Sequence, residues 1–181
     1  RGLAAKASVG RLTSELCEES DGESEAVAQC FPYFADAVQT RFPNGDVRNV
    51  LATRLASSFD VPLRRGQYPL VVLMGSDGGR GIDLIALAEA IASHGYVVVV
   101  AGLADAQQRP VVDDQLLGRL RQAHSEIVQS MLTNPSVDGR RQATGGWSIG
   151  GAPGILYAMN HSEVRAVFSL DDAMTYVYGA E

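Results

Sequence analysis

Gly146-Trp147-Ser148-Ile149-Gly150 sets a serine between two glycines in the pattern G-x-S-x-G, and Gly151 follows at once. A serine so placed can attack a carbonyl carbon if the chain holds its hydroxyl clear and a base takes its proton. Upstream, Arg141-Gln142-Ala143-Thr144-Gly145 is strand-compatible; downstream, Ala152 to Met159 reads as the first turns of a helix. In a strand–turn–helix setting the glycines are expected to let the backbone take a strained turn at Ser148 and lift its hydroxyl above the sheet edge. The chain has 19 glycines, so the bare pattern also fits an ordinary loop serine. The strand before it and the helix after it favour the nucleophile.

Acyl transfer further needs a base, a carboxylate to orient it and two donors for the developing oxyanion. The N–H of Ile149, which follows the serine, is one expected donor. The second is expected from the glycine loop Gly75-Ser76-Asp77-Gly78-Gly79-Arg80-Gly81, around Ser76 and Asp77. That loop lacks both a Gly-Lys-Ser/Thr ending and G-x-G-x-x-G, which argues against nucleotide binding. Asp171-Asp172 closes an apolar run and offers a carboxylate, or simply a solvated strand end. Three histidines are present: His94, His124 and His161. His94 closes a helix before a strand, and His161 closes the helix after the serine. His124 falls on the apolar stripe of a helix, where a packing histidine is the better reading.

The elements that must position these groups alternate. Leu70-Val71-Val72-Leu73-Met74 is a continuous apolar run, as expected of a strand covered on both faces. A helix is expected over Ile82 to His94, with Leu84, Leu87, Ala88 and Ile91 on one face and Gly95 ending it. Tyr96 to Ala101 is a second buried strand. A long helix is expected from Asp113 to Leu132, with Leu117, Leu120, Ile127 and Met131 on one stripe. Asn134-Pro135 breaks it, the strand before Ser148 follows, and Ala166 to Leu170 is a fourth strand. Alternating strands and helices imply a doubly wound, mostly parallel sheet with its site at the carboxyl ends of the strands. With the 70–74 strand central, the glycine loop would stand beside Ser148. Residues 1–45 differ in texture, with an acidic stretch from Glu15 to Glu25 and a helix opening at Pro32. They are expected to form an N-terminal helical or loop cap region on a core spanning 46–181. Val50 to Ala56 is a weak strand candidate.

Composition limits the function. At 181 residues, with 46% hydrophobic and 20% charged residues, the chain can bury a substantial core. A net charge of −6 with no basic cluster argues against a nucleic-acid surface. No apolar run has the length of a membrane span. Cys17 and Cys30 are too few for a disulfide scaffold and wrongly spaced for zinc, so their pairing and the compartment both stay open. Oligomeric state is not readable. Arg1 is expected to be a processing boundary or the edge of a fragment.

Pro69 to Leu73 with its glycine loop, Leu87-Ala88-Glu89 running into Ala92-Ser93-His94-Gly95-Tyr96-Val97-Val98, Val137 to Arg141 and Val164 to Asp171 together resemble the α/β-hydrolase superfamily. The branch is similar to the dienelactone hydrolase-like and platelet-activating factor acetylhydrolase-like proteins, over about Gln67 to Asp172. The resemblance implies a triad acid at Asp171, with Asp172 the alternative, and a second oxyanion donor at Asp77. It departs from the family at Gly75-Ser76, where His-Gly is usual, and at Asp77, where an apolar residue is. It also implies a triad histidine near the C-terminus after further strands, whereas no histidine follows His161.

The sequence thus leads to an α/β-hydrolase fold truncated before its last strands. The expected activity is hydrolysis of a small-molecule carboxylic ester through an acyl-enzyme on Ser148, with the triad histidine missing from these residues and no metal or organic cofactor required. A non-catalytic binding protein of the same fold and an acyltransferase using the same serine are the alternatives.

Overall fold

A computed structural model describes residues 6–8, 52–58, 61–62, 64–75, 81–102 and 114–171. The chain divides into two units, Arg1–Leu63 and Arg64–Glu181. In the first, strand β1 (Lys6–Ser8) pairs antiparallel with β2 (Arg54–Ser58). The strand expected over Val50 to Ala56 therefore begins later, because pairing with β1 rather than a local apolar run sets its bounds. The rest of the expected cap over 1–45 lies outside the described residues.

The second unit is built on β3 (Tyr68–Met74), β4 (Val97–Ala101), β5 (Val137–Trp147) and β6 (Val164–Leu170), all parallel, in the order β4-β3-β5-β6. A short 3-10 turn (Ile82–Leu84) leads into helix α1 (Ile85–Ser93), and Gly95, at φ 89°, turns the chain out of it. Helices α2 (Asp114–Leu132) and α3 (Gly151–Ala158) make the other crossovers. The step from β3 to β4 runs one way along the sheet, and the steps to β5 and β6 run the other way. Right-handed crossovers must then put α1 on one face and α2 with α3 on the opposite face. The packing follows that rule. Val71 and Leu73 meet Leu84 and Ala88 on the α1 side, while Leu70 and Val72 meet Val128 and Tyr157 on the other. The apolar run of β3 is thus buried on both faces, with Leu70 and Leu73 at 0% exposure.

In this unit the sequence reading changes most at α2 and β5, while β3 and β6 each begin two residues earlier than expected. The buried stripe of α2 is Leu116, Leu120, His124 and Val128, one strict i, i+4 row, and Leu117 lies at its edge. Strand β5 begins at Val137, before the expected Arg141. Val137 and Asp138 pair with Tyr68 and Pro69, and the register then jumps so that Leu70 faces Gln142. Asp138 closes this bulge: its carboxylate accepts from the Arg140 N–H at 3.0 Å and from Arg141 Nε at 2.7 Å. The Asp-Gly-Arg-Arg stretch reads locally as a turn, yet it is part of the strand.

Because α1 covers β3 and β4, no helix among the described residues covers the α1-side face of β5 and β6. A cavity of about 660 Å³ lies there toward the amino ends of the strands, with Leu70, Tyr96, Ala143, Ala166 and Phe168 among its lining. Among the described residues, no helix is long and apolar enough to cross a membrane.

Candidate active site

Of the residues expected to do chemistry, Ser148, Ile149 and Asp171 are described, and they lie at the carboxyl edge of the sheet. β5 ends at Trp147, a one-turn 3-10 helix (Ser148–Gly150) follows, and α3 begins at Gly151. Ser148 takes φ 53°, in the left-handed region that a residue with a side chain seldom occupies. This is a strand–turn–helix elbow with the strain on the serine itself.

The glycines around it act differently from what the sequence suggests. Neither Gly146 nor Gly150 has a positive φ. Their role is space. A Cβ on Gly146 would meet the Gly150 carbonyl and lie 2.6 Å from the Met74 carbonyl oxygen. A Cβ on Gly150 would run into the carbonyls of Gly75 and Met74. The elbow can fold back onto the end of β3 only because both side chains are absent.

That contact sets Gly75 beside the elbow, where Gly75 also donates its N–H to the Ala101 carbonyl at 2.8 Å. Ser76, Asp77 and Arg80, with the expected second oxyanion donor, lie outside the described residues, as does Asp172. Ile149 is described. Its side chain is buried against Met74, Leu116 and Leu120, which anchors its backbone at the start of the helical turn, where N–H groups have no intrahelical acceptor. On the other side stands Asp171, exposed and also at φ 53°. Trp147 and Leu170 are paired in register and both remain partly exposed at this edge.

None of the chain's three histidines is at the strand tips. His94 caps α1 at the opposite end of the sheet, its Nδ1 2.8 Å from the Ala90 carbonyl. His161 follows α3, its Nδ1 2.7 Å from the Tyr157 carbonyl and its ring stacked on Tyr157 at 3.7 Å. His124 is a core residue, as its position on the helical stripe implies. It is 1% exposed, its ring lies 4.8 Å from that of Tyr157, and its Nε2 is 2.7 Å from Thr144 Oγ1. Burial, reinforced by His161 nearby, pushes its pKa down to about 4, so it is neutral near pH 7. Thr144 went unremarked in the sequence. The available signal was its parity with Gln142, since alternate residues of β5 share the face toward α2 and α3.

The chain is similar in fold to solved structures. The ferulic acid esterase from Streptomyces cinnamoneus is 23% identical over 76% of this chain and 46% of its own, with a TM-score of 0.56. DcsB, in complex with its substrate analogue, is 20% identical over 60% of this chain and 38% of its own, with a TM-score of 0.50. The chain therefore spans less than half the length of either. No family model matches it, and neither does any curated protein sequence. The parallel sheet, its order and these neighbours define the class: this is an α/β-hydrolase fold.

Proposed function

We propose that the chain carries the nucleophile-bearing part of a serine ester hydrolase of the α/β type, in the dienelactone hydrolase-like and platelet-activating factor acetylhydrolase-like branch. Ser148 attacks the ester carbonyl and forms the acyl-enzyme as the ester C–O bond breaks and the alcohol leaves with the serine's proton, and water then releases the acid and restores the serine. Asp171 orients the histidine that acts as base, with Asp172 the alternative. The N–H of Ile149 and a second donor from the Ser76-Asp77 loop hold the oxyanion. The base comes from a part of the whole protein outside these 181 residues, because His94, His124 and His161 are all engaged away from the strand tips. The observation that carries this reading is the left-handed backbone of Ser148 at a glycine-packed strand-to-helix turn. Strain of this kind persists where the surrounding structure enforces it, and such residues cluster at reactive sites.

The test is turnover of p-nitrophenyl acetate and of a hydroxycinnamate ester such as methyl ferulate by the whole protein, together with Ser148→Ala. Turnover that disappears with the serine supports the reading; equal turnover by the variant overturns it. Adding an alcohol acceptor separates hydrolysis from acyl transfer, since a transferase yields the new ester in place of the free acid.

A further inference from the structure

Beneath the elbow lies a polar contact that ester hydrolysis does not require. His124 and Thr144 are each 1% exposed, and their side chains are joined by the 2.7 Å Nε2–Oγ1 hydrogen bond. Among the described residues, His124 Nδ1 is buried with no partner. With Nδ1 unpaired, the network assigns the ring proton to Nε2, which donates to Thr144, because an N–H orphaned in the core is the rarer and costlier arrangement. A leucine could fill the same stripe without burying a ring nitrogen. The histidine therefore calls for a reason beyond filling space.

Three elements meet at Thr144. It belongs to β5, four residues before Ser148. His124 reaches it from α2, and Gly154 of α3 presses on its hydroxyl so closely that a Cβ there would collide with Oγ1. The strand that enters the elbow and the helix that leaves it are thus pinned at one buried atom, about 13 Å below Ser148 at about 3.3 Å per strand residue. We propose that His124 is a positioning residue for Ser148: by holding Thr144 it fixes where β5 ends against α3, and so keeps the serine in its left-handed conformation. The catalytic part of this inference rests on the hydrolase reading; the geometric part does not.

The experiment compares His124→Leu and Thr144→Val, which remove the hydrogen bond, with His124→Gln and Thr144→Ser, which keep a donor or a hydroxyl. Hydrogen exchange of the peptides covering 145–151, read against those covering β3 and β4, follows the elbow itself. Emission of Trp147, the chain's single tryptophan and the residue before Ser148, follows it independently. In the whole protein, kcat and KM for p-nitrophenyl acetate complete the set. The Leu and Val variants are expected to exchange about tenfold faster at the elbow alone and to shift Trp147 emission. Their kcat should fall about 10- to 100-fold with little change in KM, as for a displaced nucleophile. The Gln and Ser variants should restore both, and the double variant His124→Leu with Thr144→Val should be no worse than either single change. Unchanged elbow exchange and kcat, or faster exchange spread evenly over the sheet, would overturn the proposal. If His124→Leu does not fold, the Val and Ser variants of Thr144 decide it. Should the wild-type whole protein show no Ser148-dependent turnover, the hydrolase reading fails, while exchange and emission still decide the positioning role.

Discussion

Ser148 and Asp171 take the same left-handed backbone, each at φ 53°, and each is the residue directly after the paired residues Trp147 and Leu170. Adjacent strands lie about 4.8 Å apart, so the register alone brings a hydroxyl and a carboxylate to one level of the sheet edge. Gly75 closes the same edge on the other side of Ser148.

The chain of 181 residues is expected to turn over p-nitrophenyl acetate hardly at all, since its three histidines are held elsewhere. Loss of a triad member typically costs several orders of magnitude. In the whole protein, activity should appear and Ser148→Ala should remove it by at least about a thousandfold. Steady-state assays on both forms check this, and brisk Ser148-dependent turnover by the 181 residues alone would mean that one of these histidines is the base.

Asp171→Asn in the whole protein should lower kcat about 10³- to 10⁴-fold with KM nearly constant, because an amide leaves the base in the wrong tautomer. Asp172→Asn should cost less than about tenfold, as for a residue outside the acting unit. The opposite ranking assigns the acid to Asp172.

Gly146→Ala forces a methyl against the carbonyls of Gly150 and Met74. Overpacking of this kind costs about 1–3 kcal/mol, readable in urea unfolding. Since neither glycine needs a positive φ, the loss should also appear as displacement of Ser148: labelling of the whole protein by a fluorophosphonate should slow by more than the stability change explains. Normal labelling would show that the elbow tolerates the methyl.

Stability should fall on acidification through a window set by His124. Its pKa lies at about 4 in the folded chain against 6.5 when unfolded. The unfolded chain therefore binds the proton first as pH drops. The stability is fully present above pH 6.5 and is lost progressively as pH falls toward 4, by up to about 3 kcal/mol at about 1.4 kcal/mol per unit. Among the described residues, the titratable neighbours facing it are Tyr157 of α3 and His161, which follows that helix. Asp138 acts lower: the Arg141 and Arg140 hydrogen bonds hold its carboxyl below 3.8, so its contribution is lost only beneath that value. Urea midpoints measured from pH 7 to 4 should drop for wild type and stay flatter for His124→Leu; parallel slopes would sink this assignment.

What could be read from the residues was local. Apolar runs such as Leu70 to Met74, the end of α1 at Gly95 and the G-x-S-x-G between strand and helix each depend on a few neighbouring residues, and so each was legible. The strand-edge placement of Ser148 and Asp171 followed from those bounds. Tertiary structure decided the rest. The bulge that carries β5 back to Val137 exists because Asp138 finds two arginine partners while Tyr68 and Pro69 supply the pairing edge, and none of this is visible from Asp-Gly-Arg-Arg alone. The elbow glycines proved to be needed for close approach to β3 rather than for a positive φ, a fact that depends on where Met74 and Gly75 end. His124 was legible as buried, but its partner was not. Its hydrogen bond to Thr144 spans 20 residues of chain and forms only once right-handed crossovers lay α2 and α3 over β5. Periodicity tells which face of an element is apolar; packing alone selects which atoms on that face meet.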